Sequence, residues 1–154
     1  MDKIEFSTLM EEDRVSVFDL LQDPVAMKYL GPRRPLTDIE AEKWFQSECH
    51  YPTRLIFRDS LTKELIGFCG IKDIDGDLDF GYFLRKQFWG KGYAKQMCQM
   101  AVSRLAPVTD FSKVRVFIAS ENIASQRIAQ SLCWTKKSAS SNEYEAGHLY
   151  EICT

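Results

Sequence analysis

Histidine is nearly missing from this chain. Its two residues, His50 and His148, stand far apart, and the five cysteines (Cys49, Cys69, Cys98, Cys133 and Cys153) form no CxxC pair. No histidine–cysteine spacing suits a structural or catalytic zinc, so no metal is expected. No apolar run approaches the ~20 residues that span a bilayer. The first residues, Met1-Asp2-Lys3-Ile4-Glu5, are charged with no apolar stretch behind them, so no signal peptide is expected. An excess of positive charge is also lacking: 20 Lys and Arg against 22 Asp and Glu give a net charge of −2. That balance speaks against nucleic acid or an anionic membrane as partner. A reduced, cytoplasmic location and a monomer or homodimer are the corresponding expectations.

What is present is the composition of a globular protein, 45% apolar and 27% charged over 154 residues, enough for one sizeable core. There is no repeat, low-complexity stretch or linker, so residues 1–154 read as a single domain. Ile4 to Ser7 suits a strand, and Val15, Phe18 and Leu21 recur at near-helical spacing after an acidic start. Asp23-Pro24 interrupts that helix. Thr37-Asp38-Ile39-Glu40 is a capping box opening a second helix with Ile39, Trp44 and Phe45, which stops before Pro52. Thr53–Arg58, Leu65–Ile74 and Leu78–Leu84 read as strands joined by polar turns, Asp75-Gly76 being one. A helix follows from Tyr93 to about Leu105, then a strand Val114–Ile118, a helix Asn122–Leu132, and closing strands Thr135–Ala139 and Tyr144–Cys153. The order β-α-α-β-β-β-α-β-α-β-β implies an α/β (α+β type) fold: a mixed, mostly antiparallel sheet of six to seven strands with about four helices.

Between the third strand of that meander and its helix lies Gln87-Phe88-Trp89-Gly90-Lys91-Gly92. A helix N-terminus leaves its first N–H groups unpaired and partly positive. Glycines there let a phosphate approach the backbone with no Cβ in the way. A plain tight connection explains the same residues equally well. The dinucleotide fingerprint is excluded, because its third glycine would fall at Lys95, and the GxxxxGK[ST] loop is absent.

In order along nearly the whole chain come Met10-Glu11-Glu12-Asp13, Asp23-Pro24-Val25-Ala26-Met27-Lys28-Tyr29-Leu30-Gly31, Ile66-Gly67-Phe68-Cys69-Gly70, Phe80-Gly81-Tyr82-Phe83-Leu84, Phe88-Trp89-Gly90-Lys91-Gly92-Tyr93-Ala94 and Asn122-Ile123-Ala124-Ser125. Together they resemble the GCN5-related N-acetyltransferases (GNAT), in particular the ribosomal-protein N-acetyltransferase-like (RimJ/RimL-type) branch. The resemblance implies the GNAT fold, with a sheet splayed by a bulge, for which Gly81 is the candidate. A glycine at 81 that merely makes room for a neighbouring aromatic is the alternative.

The resemblance further implies that acetyl-CoA is the co-substrate. Its pyrophosphate would lie on Gln87, Gly90, Lys91, Gly92, Tyr93 and Ala94, and its pantetheine arm beside Phe83 and Leu84. Asn122 would contact that arm, or serve only as the helix cap it also resembles. A tyrosine that often protonates the leaving thiolate in this family has no counterpart, since Ala129 stands seven positions after Asn122. Ser125 would then sit near the sulfur as a hydrogen-bond donor. Asp79 is the candidate base for the attacking amine, with Asp77 and Asp73 as rivals and a solvated aspartate as the plain alternative. Acceptor contacts would come from Tyr29, Arg33 and Trp44, with Arg33-Arg34 suited to a carboxylate or else a solvated pair.

Two departures from the family stand out. Cys133-Trp134 replaces a common Gly-Phe, straining the end of the last helix, and Gln96 replaces a glutamate. Cys133 is expected to be buried filler rather than a nucleophile. The implied activity is acetyl-CoA-dependent transfer to a primary amine, a protein N-terminus or a small amine, by direct attack in a ternary complex. The alternatives are a non-catalytic acyl-CoA-binding module and a transferase for another acyl group.

Overall fold

The computed structural model describes residues 3–154. Strand β1 (Ile4–Ser7) leads through a 3-10 turn into α1 (Arg14–Leu21), followed by α2 (Asp38–His50). The meander β2 (Leu55–Asp59), β3 (Leu65–Ile74) and β4 (Asp77–Leu84) precedes α3 (Tyr93–Leu105). Then come β5 (Val114–Ala119), α4 (Ile123–Ser131), β6 (Thr135–Ser141) and β7 (Ala146–Glu151). The seven strands lie in the order β1-β2-β3-β4-β5-β7-β6. Every neighbouring pair is antiparallel except β4 and β5.

Strand alternation sorts apolar side chains between two layers. Ile56, Phe68 and Phe83 pack with Val17, Leu20 and Leu21 of α1 and Ala41 and Phe45 of α2. Their neighbours Phe57, Cys69 and Leu84 pack on the other face with Met97 and Ala101 of α3 and Ala129 of α4. The buried stripe of α1 is therefore Val17, Leu20 and Leu21. Of the apolar residues expected on these helices, Leu21 and Phe45 are buried and Phe18 and Trp44 pack against them, whereas Val15 is 80% exposed and Ile39 70% exposed. The capping box at Thr37 is formed: Glu40 N–H donates to Thr37 Oγ1 at 3.2 Å and Thr37 N–H to Glu40 Oε1 at 2.9 Å.

The parallel pair β4–β5 is what shapes the site. It is registered only at Leu78↔Val114 and Asp79↔Arg115, after which the strands diverge. Strand β4 meanwhile stays paired to β3 from Asp77 to Leu84. Gly81 pairs in register with Gly70, so the bulge expected at Gly81 is not there. Register shifts lie instead between Phe57 and Arg58, on β2 against β3, and between Lys136 and Ala139, on β6 against β7. A Cβ at Gly81 would stand 3.4 Å from Nη2 of Arg54, so this glycine makes room for a guanidinium rather than an aromatic.

Cys133 departs from its expectation as well. It is exposed, with φ 58°. Its N–H donates to Gln130 O (3.1 Å) and that of Trp134 to Ala129 O (2.9 Å). This is a Schellman ending built without its usual glycine, with a cysteine in the left-handed region at the position where strain is expected.

Candidate active site

Where β4 and β5 part, a cleft of about 680 Å³ opens, bounded by β4, β5 and the N-termini of α3 and α4. That volume is in the range of small-molecule sites. One end is the glycine turn. Gly90 has φ 75° and Gly92 φ 79°, and a Cβ on either would meet nothing within 4 Å. These glycines are thus required by backbone conformation, and they leave open space in front of the turn. Gly92 is the N-cap of α3 and no side chain caps it. The first N–H groups of α3, at Tyr93 and Ala94, therefore face the cleft at the positive end of the helix dipole.

The free edge of β4 forms one wall. Arg85 N–H donates across to Ile66 O of β3 at 3.0 Å. Backbone groups alternate along a strand, so the N–H groups of Tyr82 and Leu84 point the other way, toward the gap. Leu84 O is engaged by Trp89 Nε1 at 2.9 Å. Across the gap, Asn122 Oδ1 accepts from Ser125 N–H at 3.3 Å, making Asn122 the N-cap of α4. Tyr82 Oη lies 2.6 Å from Ser125 Oγ and bridges the gap from strand to helix.

The cleft brings together Tyr29, Leu84, Gly90, Gly92, Tyr93, Ala94, Asn122 and Ser125 of the expected residues. Others lie elsewhere. Gln87 is exposed and accepts from Arg85 Nη2 at 3.4 Å, a bond within the turn. Lys91 lies over the Phe88 ring at 5.8 Å. Phe83 turns its side chain to the α1–α2 layer, where Trp44 stacks on it at 6.0 Å and meets Phe68 edge-on at 5.1 Å. Arg33 is bound by Glu145 through Nε at 2.7 Å and Nη2 at 3.1 Å, with its guanidinium on the Tyr144 ring at 4.7 Å. Its charge is neutralised within the chain, clasping the α1–α2 loop to the β6–β7 turn. Arg34 pairs with Glu40.

Asp79 lies on the face of β4 opposite Tyr82, half-buried, and accepts from Arg54 Nη2 at 3.0 Å. Burial pushes its carboxyl up, and the Arg54 guanidinium pulls it back. Arg54 is itself held down by burial, and its Nε has no hydrogen-bond partner. The rivals are surface groups: Asp77 pairs with Arg115 at 3.5 Å, and Asp73 accepts from Gly76 N–H in the turn. Tyr82 is the residue that sequence reasoning passed over. Its signal, an aromatic on the inner face of β4, was indistinguishable from core.

Among the described residues no helix is long and apolar enough to cross a membrane. No group of three or more His, Cys, Asp or Glu among them could hold a metal.

Residues 3–133 match the family model described as acetyltransferase (GNAT) domain. A stretch of 79 residues is 30% identical to a Bacillus licheniformis protein named uncharacterized N-acetyltransferase p20, covering 49% of this chain and 44% of that protein. The chain thus spans less than half the length of this curated relative. Among solved structures, an acetyltransferase from Agrobacterium tumefaciens is similar at TM-score 0.78 and 16% identity, covering 99% of this chain and 92% of that one. A spermidine N-acetyltransferase from Vibrio cholerae, solved with CoA and spermine, is similar at TM-score 0.75 and 16% identity, covering 97% and 95%. At such identities these likenesses speak to the fold.

Proposed function

Because the chain belongs to the GNAT acetyltransferase family, we propose that it is an acetyl-CoA-dependent N-acetyltransferase acting on a primary amine by direct attack. The observation that carries this reading is the uncapped N-terminus of α3 behind two positive-φ glycines, opening on a cleft beside an unpaired strand edge. That arrangement fits a pyrophosphate attached to an extended arm. Backbone N–H groups at Tyr93 and Ala94 would hold the phosphates, and the edge of β4 at Tyr82 and Leu84 would pair with the arm as an added strand. The co-substrate supplies an acetyl thioester, whose carbonyl is the electrophile.

The protein's own groups then have limited tasks. The free N–H of Tyr82 or Leu84 is placed to donate to a carbonyl oxygen that gains charge. Asp79, on the opposite face of β4, is the base for the amine, directly or through water; the shift caused by its burial favours proton uptake over that of an ordinary aspartate. Arg54 limits that shift and fixes the carboxylate's orientation. Tyr29 borders the acceptor side of the cleft. Trp44, stacked on Phe83, and Arg33, held by Glu145, lie outside the cleft lining and take no acceptor role in this reading.

Within the family, the order of sequence blocks favours the RimJ/RimL-type branch and hence a protein N-terminus or small amine as acceptor. A non-catalytic acyl-CoA-binding module is the second reading, favoured by the apolar Ala129 on α4. A thiol-release assay with acetyl-CoA and a panel of peptides with free N-termini, spermidine and simple amines decides between them. Amine-dependent thiol release is the expected result. Tight acetyl-CoA binding with no release for any amine would replace the enzyme by the module.

A further inference from the structure

Tyr82 and Ser125 are 43 positions apart in sequence, yet their hydroxyl oxygens are 2.6 Å apart in the cleft. Ser125 occupies the first turn of α4, its backbone fixed by the Asn122 cap, so its hydroxyl hydrogen is the movable part. Among the described residues, neither hydroxyl has another side-chain partner. One turn further, Ala129 is fully buried and offers no polar group. An aromatic hydroxyl is more acidic than an aliphatic one, so Tyr82 is the better donor of the pair. Burial pushes the phenol up, with the Ser125 bond opposing, so it keeps its proton across the ordinary working range. With Tyr82 donating to Ser125 Oγ, the Ser125 hydrogen is left to point into the cleft.

We infer that Tyr82 is a positioning residue for the departure of the thiol: its O–H donates to Ser125 Oγ and thereby aims the Ser125 O–H at the CoA sulfur. The inference rests on the acetyltransferase reading above. In the transfer, the amine nitrogen bonds to the acetyl carbon and the C–S bond breaks with its electron pair going to sulfur. The proton lost from nitrogen goes to Asp79 or water. Tyr82 and Ser125 keep their own protons and stabilise the charge on sulfur by hydrogen bonding, and solvent protonates the thiolate on release. Strand β4 and α4 together thus supply what the helix alone, with Ala129, does not.

The test compares wild type, Tyr82→Phe, Ser125→Ala and the double variant. Calorimetry measures affinity for free CoA and for dethio-CoA, which lacks the sulfur, from about pH 7 to about pH 10, across the ordinary thiol range. Wild-type affinity for CoA should rise with pH as the bound thiol ionises, while affinity for dethio-CoA stays level. Tyr82→Phe should flatten that rise and leave dethio-CoA affinity unchanged, which also certifies an intact fold. With the best amine of the panel, Tyr82→Phe should lower kcat by about tenfold or more at unchanged KM for acetyl-CoA, toward the low end of acid–base effects because it acts through Ser125. The double variant should be no worse than Ser125→Ala. A retained pH rise and wild-type kcat in Tyr82→Phe overturn the inference. A wild type that binds neither CoA nor dethio-CoA overturns the acetyltransferase reading beneath it.

Discussion

Replacing Gly92 by aspartate separates the fold from the proposed function, because stability should hold while binding falls. Gly92 sits at φ 79° and ψ 7° as the uncapped N-cap of α3, and an added Cβ would meet nothing within 4 Å. The steric cost in the free protein is therefore confined to the backbone, about 1–2 kcal/mol for a left-handed residue and less for aspartate, which visits that region more readily. Against it, the aspartate charge suits the helix dipole and contributes about 0.3–1 kcal/mol, although the left-handed backbone denies the side chain the usual extended N-cap geometry. Stability should thus stay within about 1 kcal/mol of wild type, a melting shift of roughly 2–4 °C for a chain of this size. Ligand binding has no such compensation. The carboxylate would stand beside the N–H groups proposed to hold the pyrophosphate and repel it. At ~6 Å and an effective dielectric of ~20–40, the repulsion is about 1.4–2.8 kcal/mol, a loss of about ten- to hundredfold in affinity. Calorimetry with acetyl-CoA measures it, and added salt should shrink it. Affinity within twofold of wild type, in a variant with wild-type melting, would remove this turn from the site.

Asp79→Asn should lower kcat at unchanged acetyl-CoA affinity and abolish the acid limb of the kcat/KM–pH profile; a wild-type profile would leave water as the acceptor of the amine proton. Cys133→Gly should raise stability by about 0.5–1 kcal/mol by relieving the left-handed cysteine at the end of α4, and equal or lower melting temperature would refute the strain. Glu40 is held down to about 2 by the Arg34 guanidinium and the Thr37 N–H, so its folded value lies below its unfolded one. The contribution of this cap is therefore present above the ordinary glutamate range and lost as pH falls from about 4.5 toward about 2. A Glu40 side chain that titrates near 4.5 by NMR would contradict the cap.

The element order was legible in the sequence because strand alternation, the capping box at Thr37 and the glycine turn before α3 are local signals. The turn itself was legible for the same reason, since Gly90 and Gly92 stand within a few residues of a helix start, and the structure gives both a positive φ. What stayed hidden depends on residues distant in the chain. Arg33 looked like a free cation in a loop until the fold set it on Glu145, 112 positions away. Asp79 looked like a solvated strand aspartate or a free base until Arg54 was packed into the space left by Gly81. Tyr82 read as one more apolar position of β4, because its partner hydroxyl comes from another element. Helical phase was legible only in part: Leu21 is buried as its spacing suggested, but Val15 and Val17 both fit an apolar spacing and only packing against the sheet selects Val17.

Amide hydrogen exchange, measured residue by residue with and without saturating acetyl-CoA, tests the central claim most directly. The account predicts slowed exchange at Tyr93 and Ala94 in the first turn of α3 and at Tyr82 and Leu84 on the free edge of β4. Protection confined to any other surface, or none at saturation, would contradict it.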